Sequence, residues 1–193
     1  LISPEDSRLV SKALEYGTVP VMMISSLNDR GRFDNTLTSL LLNDEELQET
    51  LLENIISNMN ILGYRALDID FEYIFPEERD KFTAFVAKAK KRLAPYGYQV
   101  WVALAPKTSS EQTGLLYEAH DYKALGEIAD KVLLMTYEWG YSRGPAIPVS
   151  PLDKVREVAE YAVSQIAPSK IFLGLPNYGY DFTVPFDKNG PPA

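Results

Sequence analysis

Tyr64-Arg65-Ala66-Leu67-Asp68-Ile69-Asp70-Phe71-Glu72-Tyr73 alternates strictly between two kinds of residue. Leu67, Ile69 and Phe71 fall on one side, and Asp68, Asp70 and Glu72 on the other. A period of two is that of a β-strand. Same-face neighbours on a strand are roughly 6.6 Å apart, so three carboxylates form a row, with Glu72 at its C-terminal end. The opposite face is apolar and Pro76 opens a helix soon after, which predicts a βα unit with both sheet faces covered. Carboxylates on a covered face are costly unless they share protons and hydrogen bonds. The row therefore reads as an acid cluster tuned for chemistry, with a solvated polar face and a metal site as the competing readings.

The rest of the chain surrounds this strand with similar units. Ser3-Pro4-Glu5-Asp6 predicts a capped helix, with Leu9, Val10, Ala13 and Leu14 as its apolar stripe and Gly17 as its stop. Val19–Ser25 reads as a buried strand, with Met22 and Met23 as core filler. Residues 26–38 are polar and predict a long loop, in which Asn28 is a candidate ligand contact. Asn43-Asp44-Glu45-Glu46 predicts a capping box for a helix carrying Leu47, Leu51, Ile55 and Met59, stopped by Gly63. The helix from Pro76 has acids in its first turns and a stripe of Phe82, Phe85, Val86, Ala89 and Leu93. Its basic run, Lys88, Lys90, Lys91 and Arg92, reads as a solvated helix end rather than an anion site.

Further strands are predicted at Gln99–Ala105, Lys131–Tyr137 and Lys170–Pro176, with helices over 120–130 and 150–166. Ser150-Pro151-Leu152-Asp153 repeats the cap grammar of the first helix. Loops follow the strands at 106–119 and 138–149, and the Tyr-, Pro- and Gly-rich tail begins at Asn177. His120 reads as a structural residue at a helix start. Lys107 reads either as a contact to an anionic ligand group or as a solvated loop lysine.

Five apolar strands alternate with helices, at spacings long enough for right-handed crossovers. This is an α/β chain, either a doubly wound open sheet or a (β/α)8 barrel. No glycine-rich phosphate loop follows any strand, which disfavours a dinucleotide fold. Distinctive residues recur instead at strand C-terminal ends (Glu72, Pro106, Tyr137 and Asn177), where a barrel keeps its active site. Five strands do not close such a barrel, so the expectation is a partial barrel with strands missing at both ends.

Composition narrows the function. The net charge of -8 disfavours nucleic acid and an anionic membrane surface as partners. With no cysteine there is no disulfide or thiolate chemistry, and one histidine cannot build a His-rich zinc centre. No apolar run has transmembrane length. The chain opens on Leu1, as a trimmed N-terminus would.

These residues carry a family likeness. Leu67–Tyr73 resembles the D-x-x-D-x-D-x-E signature of glycoside hydrolase family 18, the chitinase-like barrels. Met135-Thr136-Tyr137-Glu138 is similar to that family's M-x-Y-D element on strand six. Leu173-Gly174-Leu175-Pro176-Asn177-Tyr178-Gly179 is similar to its strand seven. Ala103–Ser109, Tyr117–Tyr122 and Met135–Gly140 further resemble the spore-germination and cortex-lytic branch. Two departures stand out: Arg65 and Ala66 replace the first aspartate of the motif and the residue after it, and Glu138 replaces the aspartate of the second element.

The resemblance implies a TIM barrel represented by strands three to seven, with residues 1–193 as one incomplete catalytic domain. It implies a retaining, substrate-assisted glycosidase acting beside N-acetylglucosamine, in spore cortex peptidoglycan or a related glycan such as chitin. Glu72 would be the general acid and Asp70 would hold the acetamido N–H. Asp68 would tune Asp70, and Tyr137 would donate to the acetamido oxygen. Tyr178, Trp139, Glu138, Asn28, Asn177 and Lys107 are the candidate substrate contacts, with Trp101 weaker because core packing explains it equally well. No cofactor and no metal are implied, the partner is an N-acetylated glycan, and the location is the bacterial spore or cell wall, outside the cell. Two other functions stay open at this point: a weakly active or inactive glycan-binding member, motivated by Arg65, and a metal-dependent hydrolase using Asp68, Asp70 and Glu72 as oxygen ligands.

Overall fold

The computed structural model describes residues 4–183 and 187. Five parallel strands form one sheet: β1 (Val21–Ser25), β2 (Ala66–Asp70), β3 (Gln99–Leu104), β4 (Lys131–Leu134) and β5 (Ile171–Leu173). Their order in the sheet is their order in the chain. A doubly wound sheet reverses its order at a switch point, whereas a barrel winds in one direction. The observed order is that of a segment of a (β/α)8 barrel.

Ile69 is registered between Ile24 and Val102, and Asp68 between Met23 and Trp101. The Ile69 face carries the core, where Leu67, Phe71, Val100, Leu104, Val132 and Leu134 are buried against the helices. These are α1 (Pro4–Glu15), α2 (Asn35–Leu42), α3 (Glu45–Leu62), α4 (Arg79–Leu93), α5 (Tyr122–Ile128) and α6 (Leu152–Gln165). From α3 to α6 each helix packs on the next, and all supply side chains to this core. The second face of the sheet is the concave one.

Several local expectations are corrected. Residues 26–38 are not all loop: α2 begins at Asn35, where Asp34 accepts from the N–H groups of Thr36 and Leu37 at 3.0 and 3.2 Å. The α3 cap is Asp44 alone, accepting from the Leu47 N–H; leucine at that position cannot reach back, so no capping box closes. Ser150 does not cap α6. Its hydroxyl donates to the Thr136 carbonyl, which ties the helix entry to the end of β4. Ser3, the expected cap of α1, lies outside the described residues. On α1 only Val10 of the expected stripe is buried, with Leu9 and Leu14 exposed. Met23 is 60% exposed because its register with Asp68 puts it on the concave face of an edge strand. The basic end of α4 pairs with acids of α3, Lys88 with Glu45 and Glu49, and Arg92 with Glu49 and Glu53. Such exposed pairs contribute about 0–1 kcal/mol each.

Candidate active site

The alternation of β2 puts Asp68 and Asp70 on the concave face, and Glu72 follows two residues beyond Asp70, past the strand end. Asp68 is buried, and Asp70 and Glu72 are half-buried. Next to them stand Ala103 of β3 and Ala105 just past its end, whose small side chains leave room over the acids. Just past the end of β4 come Met135 and Tyr137, packed against the alanines with Leu116 and Tyr117.

Glu72, Tyr137, Glu138 and Trp139 line one cleft of about 440 Å³, together with Phe33, Tyr73 and Tyr117 among others. That volume is in the range of small-ligand sites. Asp68 and Asp70 lie deeper, each with a buried carboxylate oxygen that has no hydrogen-bond partner. Tyr73 (φ 56°) and Glu138 (φ 66°) are left-handed, the two non-glycine cases among the described residues. Each directly follows a residue aimed into the cleft. Such conformations cost on the order of 1–3 kcal/mol and cluster at functional sites.

Burial and mutual repulsion set the protonation of the acid row. Asp68 is raised to about 6, first by burial and then by Asp70. Glu72 is raised to about 7, again by burial first and Asp70 second. Asp70 is raised by burial. Like charges this close cannot all ionise, so the row titrates as a coupled set that retains protons near neutrality. The Tyr137 hydroxyl is pushed up by burial and then by Asp70, Glu72 and Asp68, so it stays a donor.

The Tyr137 ring rests on Gly174. A Cβ there would lie 2.5 Å from the ring and 2.9 Å from the Leu134 carbonyl oxygen. Only glycine allows that approach. The Gly174 N–H donates to that same carbonyl at 2.8 Å, and its own carbonyl accepts from the Thr136 hydroxyl at 2.8 Å. At the rim, Glu138 accepts from Tyr178 at 2.5 Å and from Tyr180 at 2.9 Å.

Several expected contacts are not part of the cleft lining. Asn28 folds its own loop, its side-chain oxygen accepting from the N–H groups of Arg30 and Arg32. The residue of that loop lining the cleft is Phe33, whose ring centroid is 6.0 Å from that of Tyr73. Lys107 is neither a glycan contact nor a solvated lysine. It is 4% exposed, and its Nζ donates to the His120 carbonyl at 3.1 Å. Folding of 114–122 back over β3 buries it. Asn177 is exposed and stands outside the cleft lining. Trp101 is registered with Asp68, away from Glu72, and packs its ring 5.1 Å from Phe172. Phe33, Tyr73, Tyr117 and Gly174 escaped the sequence reading. For Tyr73 a signal existed, since it directly follows the last acid. The three carboxylates are strung along the chain, and among the described residues no group of three or more acids, histidines or cysteines converges as metal ligands do.

Comparison with known proteins gives a consistent picture. The sequence model of the glycosyl hydrolases family 18 matches residues 20–191. The cortical fragment-lytic enzyme of Bacillus subtilis (strain 168) is 43% identical over 193 residues, covering 100% of this chain and 44% of that protein. The enzyme of the same name from Bacillus anthracis is 40% identical over 98% of this chain and 44% of its own length. Among solved structures, the Bacillus cereus spore cortex-lytic enzyme SleL superposes with a TM-score of 0.94 at 40% identity, over 100% of this chain and 44% of that one. The chain spans about 44% of the length of the curated relatives it matches.

Proposed function

The chain belongs to glycosyl hydrolase family 18, and from that premise we propose that it hydrolyses β-1,4 bonds beside N-acetylglucosamine in spore cortex peptidoglycan or a closely related glycan. Residues 1–193 form part of the catalytic barrel that does so. The named activity of the cortical fragment-lytic relatives supports the substrate class and a place of action in the spore or cell wall, outside the cell.

The observation that carries the reading is Glu72, a carboxyl held near neutral protonation in a sugar-sized cleft, above Asp70 and beside Tyr137. Glu72 protonates the glycosidic oxygen as the bond breaks, and the acetamido carbonyl oxygen of the substrate attacks the anomeric carbon to give an oxazolinium ion. Asp70 takes the acetamido N–H and stabilises its growing positive charge. Tyr137 donates to the acetamido oxygen and aligns it for attack. Glu72, now a carboxylate, removes a proton from the water that opens the oxazolinium, and the configuration is retained. Asp68, buried behind Asp70, keeps a proton within the row. Trp139 offers a ring face to the sugar, and Glu138 with Tyr178 forms a polar rim.

The inactive, glycan-binding reading rests on Arg65, which is exposed at the opposite end of β2 and donates to the Tyr64 carbonyl. Seven residues of extended chain, about 23 Å, separate it from Glu72. At that distance through solvent it does not neutralise the acid.

The test uses two chromogenic β-glycosides with the full-length protein, one with a 2-acetamido group and one with a 2-hydroxyl. The expected result is turnover of the acetamido substrate alone. Equal turnover of both would remove the substrate-assisted mechanism, and binding of N-acetylglucosamine oligomers with no turnover would favour the glycan-binding reading.

A further inference from the structure

His120 is the single histidine of the chain and is fully buried. Its Nδ1 accepts from the Ala105 N–H at 2.8 Å. The remaining ring nitrogen, Nε2, therefore carries the proton and donates to the Phe71 carbonyl oxygen at 3.0 Å. Burial lowers its pKa to about 4, so the neutral ring persists through the working range.

The two backbone groups it joins are at the ends of neighbouring strands. Pairing of β2 with β3 stops at Ile69 opposite Val102. Phe71 and Glu72 lie beyond the last rung, where the ladder no longer fixes the chain. The imidazole spans that gap, linking the peptide that precedes Glu72 to the end of β3. The Phe71 carbonyl belongs to the Phe71–Glu72 peptide, so its direction sets the direction of the Glu72 side chain. The strained Tyr73 follows at once, and a free chain would relax it.

The brace is itself anchored. The Tyr122 hydroxyl donates to the Ala105 carbonyl at 2.6 Å and accepts from the Lys107 N–H at 3.1 Å. Lys107 Nζ donates to the His120 carbonyl, closing the network. The Phe82 ring packs against the imidazole, 5.9 Å between centroids. His120, Tyr122 and Lys107 are all buried, and hydrogen bonds in such surroundings are stronger than in water.

We propose that His120 is a positioning residue for Glu72, acting through the Phe71 carbonyl to hold the acid at the angle the reaction needs. The inference rests on the proposed role of Glu72. Two variants of the full-length protein separate its two bonds. In His120→Gln the side-chain amide reaches the place of Nε2 and donates to Phe71. In His120→Asn it reaches only the place of Nδ1, which keeps the Ala105 contact and loses Phe71. The expected result for His120→Asn is a fall in kcat of about 10- to 100-fold with little change in KM, and a lower titration midpoint for the Glu72 carboxyl as it swings toward solvent. His120→Gln is expected to restore most of the rate and the midpoint. Wild-type kcat and midpoint in His120→Asn would overturn the proposal, as would equal losses in both variants.

Should a variant not fold, the wild-type protein still decides. Its imidazole ¹⁵N resonances are expected to report a neutral ring protonated at Nε2 down to about pH 5. A ring protonated at Nδ1, or one titrating near the ordinary histidine value, would overturn the brace. Absence of any turnover by the wild-type protein would count against the function, while the Glu72 midpoint and the ¹⁵N resonances would still judge His120.

Discussion

Glu72→Gln is expected to lower kcat by about 10²- to 10⁴-fold, the usual worth of a positioned proton donor, with KM nearly unchanged. Glutamine keeps the shape and the hydrogen-bonding reach of the side chain but has no acidic proton for the leaving oxygen. Much of the cleft lining is aromatic and is untouched by the change, so ground-state binding persists. The fold is not expected to suffer. A carboxyl whose folded pKa is raised favours the fold below its unfolded value, and that contribution is lost as pH rises through about 7. In acid below that unfolded value both side chains are neutral and the Tm values are expected to agree. Near pH 8 the variant is expected to equal or exceed the wild type, because it no longer has to ionise a half-buried carboxyl. Kinetics and thermal melts at the two pH values separate lost chemistry from lost structure. Retention of more than a tenth of the wild-type kcat would count against the assignment.

Tyr137→Phe is expected to cost about 10²- to 10³-fold in kcat, the range for removing one donor aimed at the reacting group. The ring that packs on Gly174 remains, and only the hydroxyl is lost. Stability is expected to change little, because the packing of the ring on Gly174 is kept. The loss is expected for 2-acetamido substrates and to appear in kcat rather than KM, since alignment matters most as the acetamido oxygen attacks. A large rise in KM with kcat intact would make Tyr137 a binding residue instead. Steady-state kinetics on one chromogenic substrate distinguishes the two.

What the sequence disclosed followed from how local each signal is. The period-two row from Leu67 to Glu72 assigns its own faces, and the register of β2 between β1 and β3 carries those assignments into the cleft. Apolar stripes at helical spacing likewise located α3 and α4. Cap signals were less faithful, because a hydroxyl or carboxylate goes to whichever partner the tertiary fold brings nearest. Ser150 has the right neighbours for a cap and yet serves Thr136. Asp34 caps a helix hidden behind a polar, glycine-bearing stretch. Lys107 looks like a solvated lysine in its local context, and only the return of the chain through His120 and Tyr122 buries it. Gly174 gave no sign that its missing side chain is the seat of the Tyr137 ring, since that contact joins residues 37 positions apart. His120 was legible as structural, but the two strand ends it joins were not. Hydrogen bonds to main-chain atoms leave no trace in residue type.

The proposed chemistry turns on Glu72 keeping its proton near neutral pH inside the cleft. The most direct test is a ¹³C NMR titration of the side-chain carboxyls in full-length protein, with Glu72→Gln identifying the resonance. The expected midpoint is about 7, with a rate that falls as pH rises through the same value, because the acid form is the active one. A midpoint at the ordinary glutamate value of 4.5, with a rate indifferent to pH near neutrality, would contradict it.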